Sequence, residues 1–342
     1  MSKVIRIATM MLVPLIVAPA CVPGPDSQTT PTDRYTPPQN GDVQQLVQFV
    51  EVLMSFKPAT VYEKAEYDGR APVAVRAACE RIIELEMDKT SPAYEMASRF
   101  LLQFEIAKLN NGSPKEQRDT VRMAVEHFSN KEELSTADAD AVRKMIGSLE
   151  DSETQGARML AADAYDQFAE LFSAHGGKDV EPLVKRFEGG SRRLQGVGQQ
   201  FELSGRTIDG KEFEISSLRG KVVLVDFWAT WCGPCVAELP NVKELYERYQ
   251  EQGFEVVGVS LDQELPTLKS FLRSNEIPWA TVPAYSGSEN PVLAYYGVFT
   301  IPQMILVDQE GKIIATGLRG EELNAHLKSI FGANANSEKA DG

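Results

Sequence analysis

The 342-residue chain has few cysteines and histidines, and it has fewer basic than acidic side chains. It contains four cysteines and three histidines, whereas a four-ligand zinc site commonly uses a second Cys-x-x-Cys pair or paired histidines. Positive charge is also in deficit, because 35 Lys and Arg face 49 Asp and Glu and leave a formal net charge of −14. Phosphate binding needs a basic surface. We therefore expect no nucleic-acid partner, no metal and no cofactor.

The apolar run near the start of the chain is too short to span a bilayer comfortably, and it is typical of a signal peptide over residues 1–20. Lys3 and Arg6 supply a positive region, the apolar run extends through Val17, and small residues close it. Cys21 follows, and "VAPAC" resembles a bacterial lipobox, in which this cysteine becomes the lipidated first residue of the mature chain. Ordinary cleavage after "APA" is the alternative. Both interpretations predict export, and lipidation would anchor the protein to a membrane.

A tether is predicted between this N-terminal segment and the folded part of the chain. Residues 21–41 are rich in Pro, Thr and other polar residues and have hardly any apolar side chains. Such a segment cannot recover its ordering entropy through burial, so it would act as a spacer between the membrane and the folded part. At the other end of the chain, we expect residues 333–342 to form a disordered tail.

Residues 42–188 are predicted to form an all-α domain without recognisable chemistry. Apolar residues recur there at helical spacing. The first such face consists of Val43, Leu46, Val47, Val50, Leu53 and Met54. Ser113 and Glu116 have the spacing of a capping box, and Cys79 lies on a predicted helix face, where it is expected to fill a core as a small apolar residue. We place the domain boundary within the glycine-containing stretch 188–200.

Residues 197–332 alternate instead between strand-like and helix-like segments. The stretch "KVVLVDFWA" is a continuous apolar run, typical of a strand that is buried on both faces. Asp209 and Gly210 suggest the turn of a hairpin. Strands interleaved with crossover helices predict an α/β domain with a mostly parallel sheet that is covered on both faces.

Two of the cysteines, Cys232 and Cys235, are separated by only two residues in "FWATWCGPC". A zinc site would need further ligands that the sequence does not offer. Covalent haem attachment would need histidine where Val236 stands. A purely structural disulfide that closes so small a loop would stabilise the fold little. Redox exchange is the interpretation that remains.

The position of the motif supports this interpretation. The motif follows a buried strand and opens a helix, so Cys232 would lie at a helix N-terminus, where unpaired N–H groups and the helix dipole favour a thiolate. Gly233 leaves the backbone room to turn, and Pro234 suits the first helical turn. Cys235 would then lie one turn further into the helix, close enough to resolve a mixed disulfide.

The motif is very similar to the active-site strand and loop of thioredoxin, and residues 197–332 resemble the membrane-tethered TlpA/ResA-like thiol–disulfide oxidoreductases. The resemblance implies a thioredoxin-like α/β fold, preceded here by an all-α domain that the common family pattern lacks. It also implies a cis peptide bond between Ile301 and Pro302, facing the cysteines. Pro240 matches the helix-kinking proline of that fold.

The same resemblance suggests supporting residues around the cysteines. Asp226 matches the buried acid of thioredoxin and would shuttle a proton, although TlpA/ResA-like members often carry Asn there. The lysine that partners this acid in thioredoxins is replaced near Gly258. Glu238 matches an acidic residue near the motif in ResA-like proteins, and Trp231 is expected to contribute to the substrate-docking surface.

The activity implied is reduction of client-protein disulfides. The Gly-Pro pair between the cysteines resembles that of reducing thioredoxins, the clients could include apocytochrome c, and electrons would come from a membrane-embedded donor. Two alternatives stay open. One is a peroxiredoxin-like peroxidase, although Ala229 stands where those enzymes have Thr or Ser. The other is an adaptor whose helical half binds a partner and whose thioredoxin fold is a docking platform.

Overall fold

The computed structural model describes residues 33–285 and 291–337. The predicted signal peptide, Cys21 and the first part of the predicted tether lie outside the described residues. Within the described ranges, no helix has the length and apolar composition that crossing a bilayer requires.

The first part of the described chain is helical, as predicted. Its helices are α1 (Val43–Ser55), α2 (Val61–Leu85), α3 (Pro92–Ile106), α4 (Pro114–Ser129), α5 (Thr136–Glu150), α6 (Ala157–His175) and α7 (Glu181–Gln195). Three of them begin with reciprocal capping boxes, which satisfy backbone N–H groups that a helix leaves unpaired. These boxes pair Asp42 with Gln45, Ser113 with Glu116, and Ser135 with Asp138. The predicted cap at Ser113 is therefore confirmed.

Two apolar clusters hold the helices together, one around α1 and α2 and one around α4 to α7. Phe168 and Phe172 are among the fully buried side chains of the second cluster. Cys79 is fully buried in the first, as predicted. Burial, with a smaller contribution from the charge of Glu80, raises the pKa of the Cys79 thiol to about 12. The predicted face of α1 is wrong at its end, because Met54 is 44% exposed.

Helix α7 extends the helical part beyond its predicted end. Residues 189–195, which follow the predicted end of the helical domain at 188, complete α7. The glycines there permit close packing against the C-terminal part of the chain. A Cβ atom on Gly189 would lie 2.1 Å from the carbonyl oxygen of Ala294 and 2.4 Å from the nitrogen of Gly297. The junction after Gln195 lies within the stretch 188–200 where we placed the boundary, and the glycines in that stretch serve a helix contact.

The second part of the described chain is an α/β domain. Its elements are β1 (Ser204–Arg206), β2 (Glu212–Glu214), β3 (Val222–Trp228), α8 (Gly233–Tyr249), β4 (Phe254–Ser260), α9 (Leu265–Ser274), β5 (Ala280–Pro283), α10 (Val292–Tyr295), β6 (Gln303–Val307), β7 (Ile313–Thr316) and α11 (Gly320–Ser337). β1 and β2 form the predicted hairpin, with Gly210 at a φ of 81°. Helix α11 continues through residues 333–337, and a disordered tail at the end of the chain stays a prediction.

The main sheet has the strand order β5-β4-β3-β6-β7. β3, β4 and β5 run parallel, whereas β6 is antiparallel to both β3 and β7. The sheet is mixed rather than mostly parallel. Its second half departs from the prediction because residues 308–312 join β6 to β7 by a turn too short for a crossover, which leaves only antiparallel pairing.

Candidate active site

The candidate site begins where β3, the central strand, ends. All seven residues of β3 are buried, and the strand leads into a short loop before α8. Asp262, just after β4, holds this loop, because its carboxylate accepts the N–H of Thr230 at 3.0 Å and the Thr230 hydroxyl at 2.5 Å. Ser260 donates to the same carboxylate at 2.8 Å. Sequence reasoning missed Asp262, and its signal was an acidic residue directly after a buried strand.

Cys232 and Cys235 form a disulfide at the start of α8, as predicted. The two sulfurs are 2.03 Å apart and the two Cα atoms are 5.3 Å apart. Cys232 is the N-cap of the helix, and the N–H of Cys235 donates to Cys232 Sγ at 3.2 Å. Cys232 and Cys235 are only 6% and 3% exposed. In the reduced state, this N–H group and the helix N-terminus would favour a thiolate on Cys232.

The loop before β6 faces this disulfide. The peptide bond between Ile301 and Pro302 is cis, which confirms the prediction, and the carbonyl oxygen of Ile301 lies 3.7 Å from Cys232 Sγ. Trp231, Gly233 and Pro234 are exposed beside the sulfur, with Trp231 68% exposed. The reactive sulfur is therefore reached between an exposed indole and a backbone edge.

Asp226 lies in the middle of β3 and is only 3% exposed. Side chains alternate along a strand, so Asp226 shares a strand face with Leu224 and Trp228, which pack in one cluster with Cys232 and Cys235. Burial, and secondarily the charge of Glu238, raises the pKa of Asp226 from 3.8 to about 7. Its Oδ1 atom is buried without a hydrogen-bond partner. A carboxyl group in this state can hold or release a proton near neutral pH.

Gly258 explains how the chain accommodates this acid without the lysine found in thioredoxins. Gly258 lies beside Asp226 in the register of β3 and β4. A Cβ atom on Gly258 would lie 2.9 Å from Nε1 of Trp228. The Trp228 ring thus occupies the space that a side chain at position 258 would need, so a lysine does not fit there.

Glu238, one turn into α8, is tied to the start of α11. Its Oε1 atom accepts the side-chain amide of Asn241 at 2.8 Å and the backbone N–H of Gly320 at 2.9 Å. The negative charge of Glu238 also helps to raise the pKa of Asp226. Glu238 thus joins two elements that flank the site, and its catalytic role stays a prediction. No group of three or more His, Cys, Asp or Glu side chains suited to a metal ion occurs within the described ranges.

Comparisons with known proteins agree with this geometry. A sequence model described as the AhpC/TSA family matches residues 197–316. The thiol-disulfide oxidoreductase ResA of Geobacillus thermodenitrificans (strain NG80-2) is 36% identical over 126 residues, which are 36% of this chain and 71% of the relative. ResA of Bacillus thuringiensis subsp. konkukian (strain 97-27) is 31% identical over 124 residues, again 36% of this chain and 69% of the relative.

A solved thioredoxin domain of a thiol-disulfide oxidoreductase from Bacteroides vulgatus aligns with 39% of this chain and 96% of its own, at 30% identity and a TM-score of 0.36. The strand order, the disulfide at the start of α8 and the cis-proline loop, together with the similarity to ResA, define the class of protein: a thiol–disulfide oxidoreductase of thioredoxin fold. Within that class, the chain belongs to the ResA family. The matches leave helices α1 to α7 outside, as the sequence suggested.

Proposed function

We propose that this enzyme reduces disulfides of client proteins outside the cytoplasm, while a lipid on Cys21 holds it at a membrane. The observation that carries the proposed chemistry is the position of Cys232 Sγ, at the N-terminus of α8 and 3.7 Å from the Ile301 carbonyl oxygen. A client cysteine can approach the sulfur there, and the backbone edge beside it can align an extended client segment.

In the first step, the thiolate of reduced Cys232 attacks one sulfur of the client disulfide. A bond forms between Cys232 Sγ and that sulfur, and the client's second sulfur leaves as a thiolate that takes a proton. The N–H of Cys235, which points at Cys232 Sγ, stabilises the attacking charge and fixes the direction of the sulfur.

In the second step, Cys235 resolves the mixed disulfide. The Cys235 thiol loses its proton, and its thiolate attacks Cys232 Sγ, which releases the client's first sulfur as a thiolate that then takes up a proton. Asp226 supports this step as the proton acceptor, because its pKa of about 7 lets it take up a proton at neutral pH. The client gains two electrons and two protons in total, and the enzyme ends as the Cys232–Cys235 disulfide.

The oxidised enzyme then needs two electrons and two protons for the next cycle. We assign their supply to a membrane-embedded dithiol donor, which matches the proposed anchoring at Cys21 and the tether over residues 21–41. The reducing direction is supported by Gly233 and Pro234 between the cysteines, which resemble the pair in reducing thioredoxins. The resemblance also suggests apocytochrome c among the clients.

An insulin reduction assay tests the chemistry directly. The reduced protein should cleave insulin disulfides, and the Cys235→Ser variant should accumulate a mixed disulfide with its client instead. Digestion of that trapped complex identifies the client. If the wild-type protein consumes hydrogen peroxide and leaves insulin untouched, the peroxidase alternative is correct instead. If it does neither, the adaptor alternative is favoured.

Anchoring needs a separate measurement. Mass spectrometry of the N-terminal peptide from the membrane fraction should find an acyl group on Cys21. A mature chain with an unmodified cysteine, recovered outside that fraction, would contradict the lipid anchor and leave the redox proposal intact.

A further inference from the structure

A cleft of about 1270 Å³ runs between the helical part and the α/β part of the chain. One wall consists of the end of α5, the segment that follows it and the start of α6. The other wall consists of residues 299–303, residues 316 and 317, and the start of α11. Pockets for small molecules typically measure about 300–1,000 Å³, so the space is large for such a ligand.

One end of this cleft is lined by the cis-proline loop, whose Ile301 carbonyl oxygen faces the disulfide. Thr300, Ile301 and Pro302 line the cleft, and the carbonyl oxygen of Ile301 is 3.7 Å from Cys232 Sγ. Cys232 is only 6% exposed, so a client segment that reaches its sulfur would lie against this loop. A client segment that runs past the loop toward Phe299 and Thr300 would enter the cleft.

The two walls are held at a fixed separation by contacts between the halves. Arg158 on α6 donates to the carbonyl oxygen of Thr316 at 2.8 Å, and Arg319 pairs with Asp151 at 3.2 Å. Phe299, three residues before the cis-proline, stacks on Tyr165 of the helical core with ring centroids 6.1 Å apart. The helical half therefore forms a well-ordered wall of the cleft. This wall lies outside residues 197–316, which the family model matches.

We propose that the cleft binds an extended polypeptide segment of the client, next to the cysteine that Cys232 attacks. The proposal rests on the proposed function and adds a role for the helical half. An extended segment fits because the volume of about 1270 Å³ exceeds that of a typical small-molecule pocket and because the cis-proline loop lines the cleft. Its lining carries charges of both signs, basic at Arg143 and Lys144 and acidic at Glu153 and Glu322. These groups suit the peptide groups and mixed side chains of an unfolded client.

Gly147 offers a way to fill the cleft from the helical wall. It lies on α5 and lines the cleft, and a Cβ atom there would meet no atom within 4 Å. Gly147→Trp therefore adds a bulky ring without a clash at its base. Gly69→Trp is the matched control. Gly69, like Gly147, is helical and has no neighbour within 4 Å of an added Cβ atom, and it lies exposed on α2 outside the cleft.

The measurement is the ratio of kcat/KM for a long disulfide peptide to kcat/KM for oxidised glutathione. The peptide carries its disulfide within an extended chain of about twelve residues, which spans roughly 40 Å. In the wild type and in Gly69→Trp, the ratio should be at least on the order of tenfold, equivalent to about 1.4 kcal/mol of extra binding. In Gly147→Trp the ratio should fall close to one. An unchanged ratio in Gly147→Trp, or no length dependence in the wild type, overturns the proposal.

A graded series guards against a variant that fails to fold. Gly147→Ala, Gly147→Leu and Gly147→Trp should lower the ratio in order of side-chain size, with folding checked by thermal melting. As a second readout, the Cys235→Ser adduct with the long peptide should protect exposed Lys144 from acylation and leave exposed Lys115 on α4 reactive. Equal reactivity of both lysines would contradict docking. If oxidised glutathione is not reduced either, the proposed function itself is wrong, which is a different result from a lost length dependence.

Discussion

The helical half and the α/β half each hold one carboxylate of low exposure, Glu150 at 17% and Asp226 at 3%, and the two carboxylates have opposite pKa shifts. Glu150 at the end of α5 receives two hydrogen bonds from Arg193, at 2.8 and 2.9 Å, and one from Tyr165 at 2.8 Å. Burial alone would raise the pKa of Glu150, but Arg193 and Tyr165 hold it below its ordinary value. Asp226 has one oxygen without a partner, and burial raises its pKa to about 7.

The cysteines differ in the same way. Cys79 is surrounded by apolar side chains on α2, and its raised pKa leaves it an unreactive thiol at neutral pH. Cys232 caps a helix and receives an N–H group. Burial by itself therefore does not mark a functional residue. What distinguishes the α/β half is that Asp226 can gain or lose a proton and that Cys232 can change its redox state.

The largest contrast should come from the cysteines. Cys232→Ser should abolish disulfide reduction, because a hydroxyl is not ionised at neutral pH and cannot form the mixed disulfide. Cys79→Ala should leave kcat/KM within about twofold and lower the free energy of unfolding by about 1 kcal/mol, since it removes one buried apolar group. Insulin reduction and urea denaturation measure the two effects. Activity that survives in Cys232→Ser would move the nucleophile elsewhere.

The paired carboxylate should matter mainly for stability. Glu150→Gln leaves Arg193, which is 2% exposed, without a balancing charge, so the free energy of unfolding should fall by about 3–5 kcal/mol. Glu244→Gln is the control, because Glu244 forms an exposed pair with Arg248 on α8 and should cost less than about 1 kcal/mol. Urea denaturation of both variants measures these losses. If both variants lose less than about 1 kcal/mol of unfolding free energy, the Glu150–Arg193 pair does not hold the helical half together.

The unpaired carboxylate should instead appear in the pH dependence of stability. The folded state binds the Asp226 proton more tightly than the unfolded state, with a pKa of about 7 against 3.8. Stability from this group is therefore full below pH 3.8 and is lost as pH rises to about 7, by up to about 4 kcal/mol. Asp226→Asn should lack this loss and resolve mixed disulfides more slowly. Parallel pH-stability curves for the two proteins would contradict the raised pKa.

The smallest predicted effect concerns the contact between the halves. Gly189→Ala would place a methyl group 2.1 Å from the Ala294 carbonyl oxygen, so it should destabilise the protein by about 1–3 kcal/mol and shift the cis-proline loop. Gly69→Ala, where the added methyl meets nothing, should stabilise the helix by up to about 1 kcal/mol. Thermal melting measures both. If both variants are equally stable, α7 and α10 are not in tight contact.

Much of this protein could be predicted from short stretches of its sequence. Helix starts such as Ser113 depend on residues three positions apart, and apolar periodicity depends on neighbours within two turns. The Cys232–Cys235 pair and its place at a helix start are also local. The resemblance to thioredoxin predicted the cis bond before Pro302 and the burial of Asp226. The prediction failed in the second half of the sheet, where strands that are far apart in sequence pair antiparallel.

The sequence by itself therefore determined the helices, the order of the elements and the redox chemistry of the two cysteines, because each depends on residues close together in the chain. Only the tertiary structure decided that Asp262 holds the active-site loop, that Phe299 anchors the cis-proline loop in the helical core, and that a cleft lined by Ile301 and Pro302 runs between the halves. Phe299 and Tyr165 are separated by more than a hundred residues. No periodicity or spacing specifies such a contact, because it exists only once both halves have packed.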